Sequence, residues 1–370
     1  MTAPIIIAAG GTGGHFFPAE ALAAELTRRG ERVALMTDAR SADYSSPAFA
    51  HAERFVLKGA GLAGRGLKRA AAGAMALAAG TMQARKLLQR LRPKAVVGFG
   101  GYPSVPPLLA ARSLAHRPAV VLHEQNAVLG RANRLLARSA DVLALSFAAT
   151  TRVPAGTERA VVGNPVRPAL AALAGHGFVP PQGPTRMLVL GGSLGARIFS
   201  EVVPAAVALL PTPLRSRLSI VQQCRAEDLP RVRTAYEELS LPAELSPFFG
   251  DVAGLYSTAH LVVSRAGAST IAELACAGRG AILVPLPHAI DDHQSANARA
   301  LAEAGAAVVM PQPQFTPQAL AAELQRLLES PEALARAAAA AAALAAPDAA
   351  ARLADLVLSR AAARRLQEAS

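Results

Sequence analysis

Short apolar runs alternate with longer amphipathic stretches along this chain, and that alternation predicts parallel sheets covered on both faces by helices. In the first half, apolar runs predict strands at 4–9, 32–37, 94–98, 119–122 and 141–145. Between them, the helical period predicts helices over about 17–29, 67–91, 104–116 and 129–138. The stretch 163–185 ends in a Gly/Pro-rich segment and reads as an interdomain connection. The pattern then restarts with a strand at 186–190, a second glycine-rich turn at 191–197 and a helix to about Leu210. Further strands are predicted near 218–222, 244–247, 260–263, 281–284 and 306–309. With 370 residues, the chain is long for a single core. The expected architecture is two Rossmann-like, doubly wound parallel-sheet domains facing a cleft, at 1–165 and 166–346, with a helix at 347–370 returning toward the first domain. Residues 316–366 are helical in pattern and alanine-rich, and they are expected to pack across the hinge without taking part in chemistry.

The polar residues that carry chemistry cluster where strands end, which is where open parallel sheets hold ligands. After the first strand comes Gly10-Gly11-Thr12-Gly13-Gly14-His15-Phe16-Phe17-Pro18. The glycines permit a sharp turn and close backbone approach to a ligand. Pro18 reads as part of a helix's first turn, whose open N–H groups would suit phosphate. No Gly-Lys-Ser/Thr follows, so this is no Walker loop. Five more loops have the same placement: Gly98–Ser104, His123-Glu124-Gln125-Asn126, Gly163-Asn164-Pro165-Val166-Arg167, Ser264–Glu273 and His288–Ala298. His288 and His293 beside Asp291 and Asp292 suggest a metal, but no second cluster supplies further ligands, so helix capping is expected and no metal.

Charge adds one feature. The formal net charge is +12, and twelve Lys/Arg fall between Arg54 and Arg117 with no acidic residue before Glu124. Basic clusters that include Arg65, Lys68 and Arg69 flank the apolar stretch Ala70–Met82, which carries Met75 and Leu77. That combination suits an anionic membrane face. Four tyrosines and no tryptophan leave little for base stacking, so nucleic acid is not expected. Two cysteines exclude a disulfide framework and suit a reducing cytoplasm. Neither an export signal nor an apolar run of spanning length is visible.

GGTGGHFFP, GGYPS, HEQN, GNPVR, GGSLGAR, SRAGASTIAE and DDHQSANA, in this order, resemble the MurG family of glycosyltransferases over nearly the whole chain. The resemblance implies a GT-B fold and transfer of N-acetylglucosamine from UDP-N-acetylglucosamine to undecaprenyl-pyrophosphoryl-N-acetylmuramoyl-pentapeptide, with inversion and without a cofactor. It also implies a peripheral protein on the cytoplasmic face of the inner membrane, working beside cell-wall synthesis and division proteins. Carried over by motif, Ala268, Ser269 and Thr270 would contact uracil, Glu273 the ribose, and Ser193 the donor phosphate. Gln294 and Asn297 would bind sugar hydroxyls. Thr12, Gly13 and Gly14, with Asn126 and Arg167, would close over the sugar diphosphate. Gly13, Gly14, Gly100, Gly101 and Tyr102 would take the acceptor diphosphate, and residues 65–82 would be the membrane patch. His15 is the expected general base because an imidazole titrates near neutrality, with Glu124 the competitor. Two departures stand out: Leu194 replaces the family's usual Gln, and Gln222-Gln223-Cys224-Arg225 replaces a run usually read as His-Gln-Ser/Thr-Gly.

Three other readings account for parts of the sequence. An NAD-dependent oxidoreductase would use Asp38, at the end of the second strand, on a ribose. It leaves the second glycine turn and the 264–298 loops without a role. A nucleotide-sugar 2-epimerase needs no lipid acceptor and leaves the basic apolar segment unexplained. A non-catalytic membrane scaffold explains that segment and none of the polar loops.

Overall fold

The computed structural model describes residues 2–11, 13–41, 46–57, 67–192 and 195–369, and only the backbone of 67–70, 368 and 369. Thr12, Ser193 and Arg65, together with the side chains of Lys68 and Arg69, lie outside the described residues. The chain forms two compact units, one of residues 1–167 and 348–370, the other of 168–347.

In the first unit the strands are β1 (Ile5–Ala8), β2 (Val33–Thr37), β3 (Glu53–Val56), β4 (Ala95–Gly98), β5 (Ala119–Glu124), β6 (Val142–Leu145) and β7 (Arg159–Val161). They form one parallel sheet in the order β3-β2-β1-β4-β5-β6-β7. Helices α1 (Gly13–Arg28), α2 (Leu67–Leu91), α3 (Gly101–Arg112) and α4 (Arg131–Leu136) connect them. Strand order reverses between β1 and β4, so the turns after these two strands, Gly10–Gly14 and Gly98–Gly101, share the switch point where such sheets bind ligands. Ile5, Ile6 and Ile7 are fully buried, as a strand with helices on both faces requires.

Helix α1 starts at Gly13, four residues earlier than the sequence suggests, so Pro18 lies inside it and not in its first turn. The reason is packing. A Cβ on Gly13 would lie 2.9 Å from the Phe17 ring, so glycine's poor helix propensity gives way to a close contact only it permits. Pro18 cannot donate to the carbonyl of Gly14, and because Gly14 is exposed that carbonyl can turn to water.

The second unit repeats the plan with β8 (Thr185–Leu190), β9 (Leu218–Gln223), β10 (Ala243–Ser246), β11 (Leu261–Ser264), β12 (Ala281–Leu283) and β13 (Ala307–Val309). These strands are parallel in the order β10-β9-β8-β11-β12-β13. Its helices are α5 (Pro168–Ala171), α6 (Arg197–Leu209), α7 (Thr212–Arg215), α8 (Leu229–Glu238), α9 (Val252–Thr258), α10 (Ala268–Ala277), α11 (His293–Glu303), α12 (Pro317–Leu328) and α13 (Pro331–Ala342). Helices α12 and α13 begin with a Thr-Pro and a Ser-Pro step, in which the hydroxyls of Thr316 and Ser330 accept from Ala319 N (3.2 Å) and Ala333 N (3.3 Å). The alanine run of α13 lets it approach β12 closely: a Cβ on Gly280 would meet Ala337 Cβ at 2.8 Å.

The last helix, α14 (Ala349–Ala369), belongs to the first unit. Leu353, Ala354 and Val357 are fully buried there with Leu22 and Leu26 of α1. Arg29 donates to Ala351 O (3.2 Å) and pairs with Asp355, and Arg360 pairs with Glu158. The alanine-rich segment 316–366 therefore does not act as one body at the hinge: α12 and α13 cover the second sheet and α14 the first.

Candidate active site

In the first unit the polar residues of four motifs meet at the carboxyl ends of β1, β4 and β5. His123 and Glu124, predicted in a loop, are the last two residues of β5 and almost wholly buried. His123 Nε2 lies 3.0 Å from Gly163 O of the GNPVR segment, and its Nδ1 lies 3.0 Å from Gln125 Nε2. Gln125 Nε2 also donates to His123 O (3.2 Å), while Gln125 Oε1 faces His15 Nδ1 at 3.0 Å. His15 stands in the first turn of α1, half-buried, and its Nε2 makes no hydrogen bond among the described residues. The ring lies along the turn into α3. Built Cβ atoms on Gly100 and Gly101 would come within 3.3–3.4 Å of it, and both residues have positive φ (+82° and +67°). Ser104 ties that turn to β1, its single hydroxyl proton shared between Ala8 O (2.9 Å) and Gly100 O (2.8 Å).

Glu124 has a different task. Its Oε1 accepts from Asn126 N and Asn126 Nδ2 (both 3.0 Å), and its Oε2 from Gly130 N (2.8 Å) and Asn133 Nδ2 (2.9 Å). Four donors occupy its lone pairs, so the carboxylate braces the loop and has no free site for a substrate proton. Asn133 on α4, which the sequence reading does not single out, also donates to His123 O (3.1 Å). A polar residue on the buried face of a short helix is the signal that could have found it. Arg167 stacks its guanidinium over the Phe17 ring, 4.9 Å from the centroid, which joins the end of the unit to α1.

In the second unit amide side chains pin the loops. Gln223 Oε1 accepts from Gly191 N (3.1 Å), holding the glycine turn after β8. Gln294 Oε1 accepts from Ala266 N (3.2 Å) and Leu286 N (2.9 Å), which leaves its Nε2 without a hydrogen bond among the described residues. Asn297 is fully buried and donates to Ala266 O (3.1 Å), so it shapes that loop. Arg265 donates to Val284 O, Pro285 O and Gln312 Oε1 and stacks on Phe199. The resulting frame presents the start of α10, where Gly267 caps without a side-chain bond and the N–H groups of Ala268, Ser269 and Thr270 open the helix. Glu273 follows on the same helix, largely buried, with Tyr256 Oη 3.5 Å from its Oε2. Arg225 is engaged by Asp228 and Glu227. His288, Asp291 and Asp292 all have left-handed backbone (φ 60°, 56° and 52°). Asp292 precedes α11 without capping it; its carboxylate accepts from Ser295 Oγ (2.7 Å).

On α2 the outward face carries Met75 and Met82, 72% and 68% exposed, and then Arg85, Lys86 and Arg90. Leu77 is not part of that face: it packs toward the core beneath α2.

Two Rossmann-like units with glycine turns at their switch points are the GT-B arrangement of nucleotide-sugar glycosyltransferases. The sequence profile of the glycosyltransferase family 28 N-terminal domain matches residues 5–144, and that of the C-terminal domain 186–353. A Granulibacter bethesdensis protein named UDP-N-acetylglucosamine--N-acetylmuramyl-(pentapeptide) pyrophosphoryl-undecaprenol N-acetylglucosamine transferase is 62% identical over 96% of this chain and 93% of its own. A protein of the same name from Acidiphilium cryptum is 55% identical over 98% of each. The crystal structure of Acinetobacter baumannii MurG superposes with a TM-score of 0.78 at 32% identity, covering 97% of this chain and all of that one. The chain belongs to glycosyltransferase family 28 and, within it, to the MurG family. The fold alone would not select the reaction: a Neisseria meningitidis UDP-GlcNAc 2-epimerase shares it at 13% identity, TM-score 0.67, over 96% of this chain and all of that one.

Burial lowers the His123 pKa from an imidazole's usual 6.5 to about 4; the Gly163 bond and the Glu124 charge oppose that only in part, and His15 adds to it. The unfolded chain therefore binds a proton at His123 between these values where the folded chain does not. The stability this group contributes is complete above about pH 6.5 and is lost as pH falls through about 4. The loss is on the order of 3 kcal/mol. Denaturant midpoints across that window are expected to fall for the wild type and to fall less steeply for His123→Gln; equal slopes would remove His123 from the account.

Proposed function

We infer that this protein transfers N-acetylglucosamine from UDP-N-acetylglucosamine to the 4-hydroxyl of undecaprenyl-pyrophosphoryl-linked N-acetylmuramoyl-pentapeptide, inverting the anomeric carbon. The near full-length identity to transferases of that name carries the reading. The site chemistry supports it. The attacking hydroxyl must lose a proton as UDP departs, and His15 Nε2 makes no hydrogen bond among the described residues, whereas the oxygens of Glu124 are all engaged. His15 is thus the general base and Glu124 the brace. The starts of α1 and α3, at Gly13-Gly14 and Gly100-Gly101-Tyr102, supply open N–H groups for the acceptor diphosphate.

In the second unit the start of α10 takes the uridine, with Glu273 on the ribose. Gln294 Nε2, without a hydrogen bond among the described residues, donates to the donor sugar. Charge growing on the leaving diphosphate is met by preorganised N–H groups, which act without reorganisation cost. The exposed methionines of α2 and the cations that follow them rest on the anionic cytoplasmic face of the membrane. Among the described residues no helix is long and apolar enough to cross a membrane.

Labelled UDP-N-acetylglucosamine with the lipid-linked muramoyl-pentapeptide diphosphate tests the reaction. Label is expected to move to the lipid with chelator present as well as without it. Epimerisation without lipid product would contradict the acceptor assignment. His15→Ala is expected to lower turnover at least about tenfold with UDP binding nearly intact, and near-normal turnover would exclude it as base. For the membrane face, Met75→Asp with Met82→Asp is expected to weaken sedimentation with phosphatidylglycerol vesicles, and unchanged sedimentation would move that surface elsewhere.

A further inference from the structure

The chain of hydrogen bonds behind His15 begins at a group that can only accept. Gly163 O is a carbonyl, so the His123 Nε2 beside it (3.0 Å) must carry a proton. Full burial keeps His123 neutral near pH 7, and a neutral ring has one N–H, so Nδ1 is a bare lone pair. That lone pair and His123 O both face Gln125 Nε2, at 3.0 and 3.2 Å. Two acceptors on one side of the amide fix its orientation: the nitrogen points to His123 and Oε1 to His15. An amide oxygen is again only an acceptor, so the His15 Nδ1 facing it at 3.0 Å must hold the proton. The basic lone pair of the neutral ring is then on Nε2.

We propose that Gln125 and His123 are positioning residues that lock His15 in the tautomer protonated on Nδ1, so that Nε2 is always the atom presented to the acceptor hydroxyl. The proposal rests on the reading of His15 as base. Without the amide oxygen, His15 could take either tautomer or rotate about its side-chain bonds. The positive-φ turn at Gly100-Gly101 limits the second motion by lying against the ring. Nothing else among the described residues limits the first. The arrangement assigns different work to neighbours in HEQN: His123 and Gln125 orient the base, while Glu124, bonded to Asn126, Gly130 and Asn133, holds the loop. Glu124 and His15 act on His123, and Arg167 lies over Phe17, two residues along α1 from His15.

Four proteins decide it: wild type, His15→Ala, Gln125→Leu and Gln125→Glu, each assayed for kcat, donor KM and the acidic limb of the pH–rate profile. Gln125→Leu is expected to lower kcat about tenfold or more while donor KM stays within about twofold, since the base is misplaced and the donor is not touched. Gln125→Glu places a carboxylate on Nδ1–H and favours the imidazolium, so its acidic limb is expected to move up by about one pH unit. Wild-type kcat and limb in both Gln125 variants, with His15→Ala inactive, would overturn the relay and leave the base. An active His15→Ala would overturn the base and the relay with it. Should Gln125→Leu lose its cooperative thermal transition, the limb of Gln125→Glu carries the decision, and an unmoved limb overturns the proposal.

Discussion

A buried neutral imidazole must both give and receive a hydrogen bond, and the first unit is arranged around meeting that demand for His123. The Gly163 carbonyl receives its N–H, and the Gln125 amide supplies the matching donor. An unmet polar group at that depth would cost a few kcal/mol, so neither partner is optional. The consequences spread outward. The Gly163 bond ties the end of the GNPVR segment to β5, and the Gln125 oxygen reaches α1. The α1 ring in turn needs the Gly100-Gly101 turn to lack side chains. Glu124, the next residue on β5, uses its four acceptor sites on backbone and amide N–H groups, which fixes the loop carrying Asn126. One strand end thus sets the geometry of three loops.

The second unit pins its loops with amides and the Arg265 guanidinium. Gln223 holds Gly191, Gln294 spans Ala266 and Leu286, and the buried Asn297 donates to Ala266 O. Hydrogen-bonded networks of this kind rigidify what they connect. Here they connect the turn after β8, the start of α10 and the strained segment at His288–Asp292, where three side-chain-bearing residues adopt left-handed backbone. The Gln222-Gln223-Cys224-Arg225 run is part of this framework: Gln223 supplies the strut, and Arg225 closes on Asp228 and Glu227.

Much of this was legible in the residues, because a parallel strand buried on both faces leaves an unmistakable apolar run: Ile5–Ala8 and Ala95–Gly98 lie within the predicted stretches. Helix α2 spans the predicted 67–91. The strands not anticipated, Glu53–Val56 and Arg159–Val161, are edge strands with exposed residues, and such strands carry no continuous apolar signal. The start of α1 was misplaced because glycine argues against helix locally, while the Phe17 contact that requires it is tertiary. His123 and Glu124 read as loop because polar residues rarely end a buried strand; His123 is explained by Gly163, distant in sequence, and Glu124 by donors on the loop and short helix that follow it. For Gln125 and Asn297 a motif marks them as present, and only partners reveal whether each meets a ligand or supports a loop; Asn133 lies in no motif, and only its bonds to His123 O and Glu124 reveal it. Leu77 shows the limit of composition, since an apolar residue amid basic ones lies on the inner side of its helix.

The central claim is that a protein-imposed proton position makes His15 a base at one defined atom. Nitrogen-15 NMR of the histidine-labelled full chain reads it directly. In the neutral ring, His15 is expected to show a protonated Nδ1 and an unprotonated Nε2, with His123 showing the reverse. A His15 proton on Nε2, or an even mixture of the two tautomers, would contradict the account.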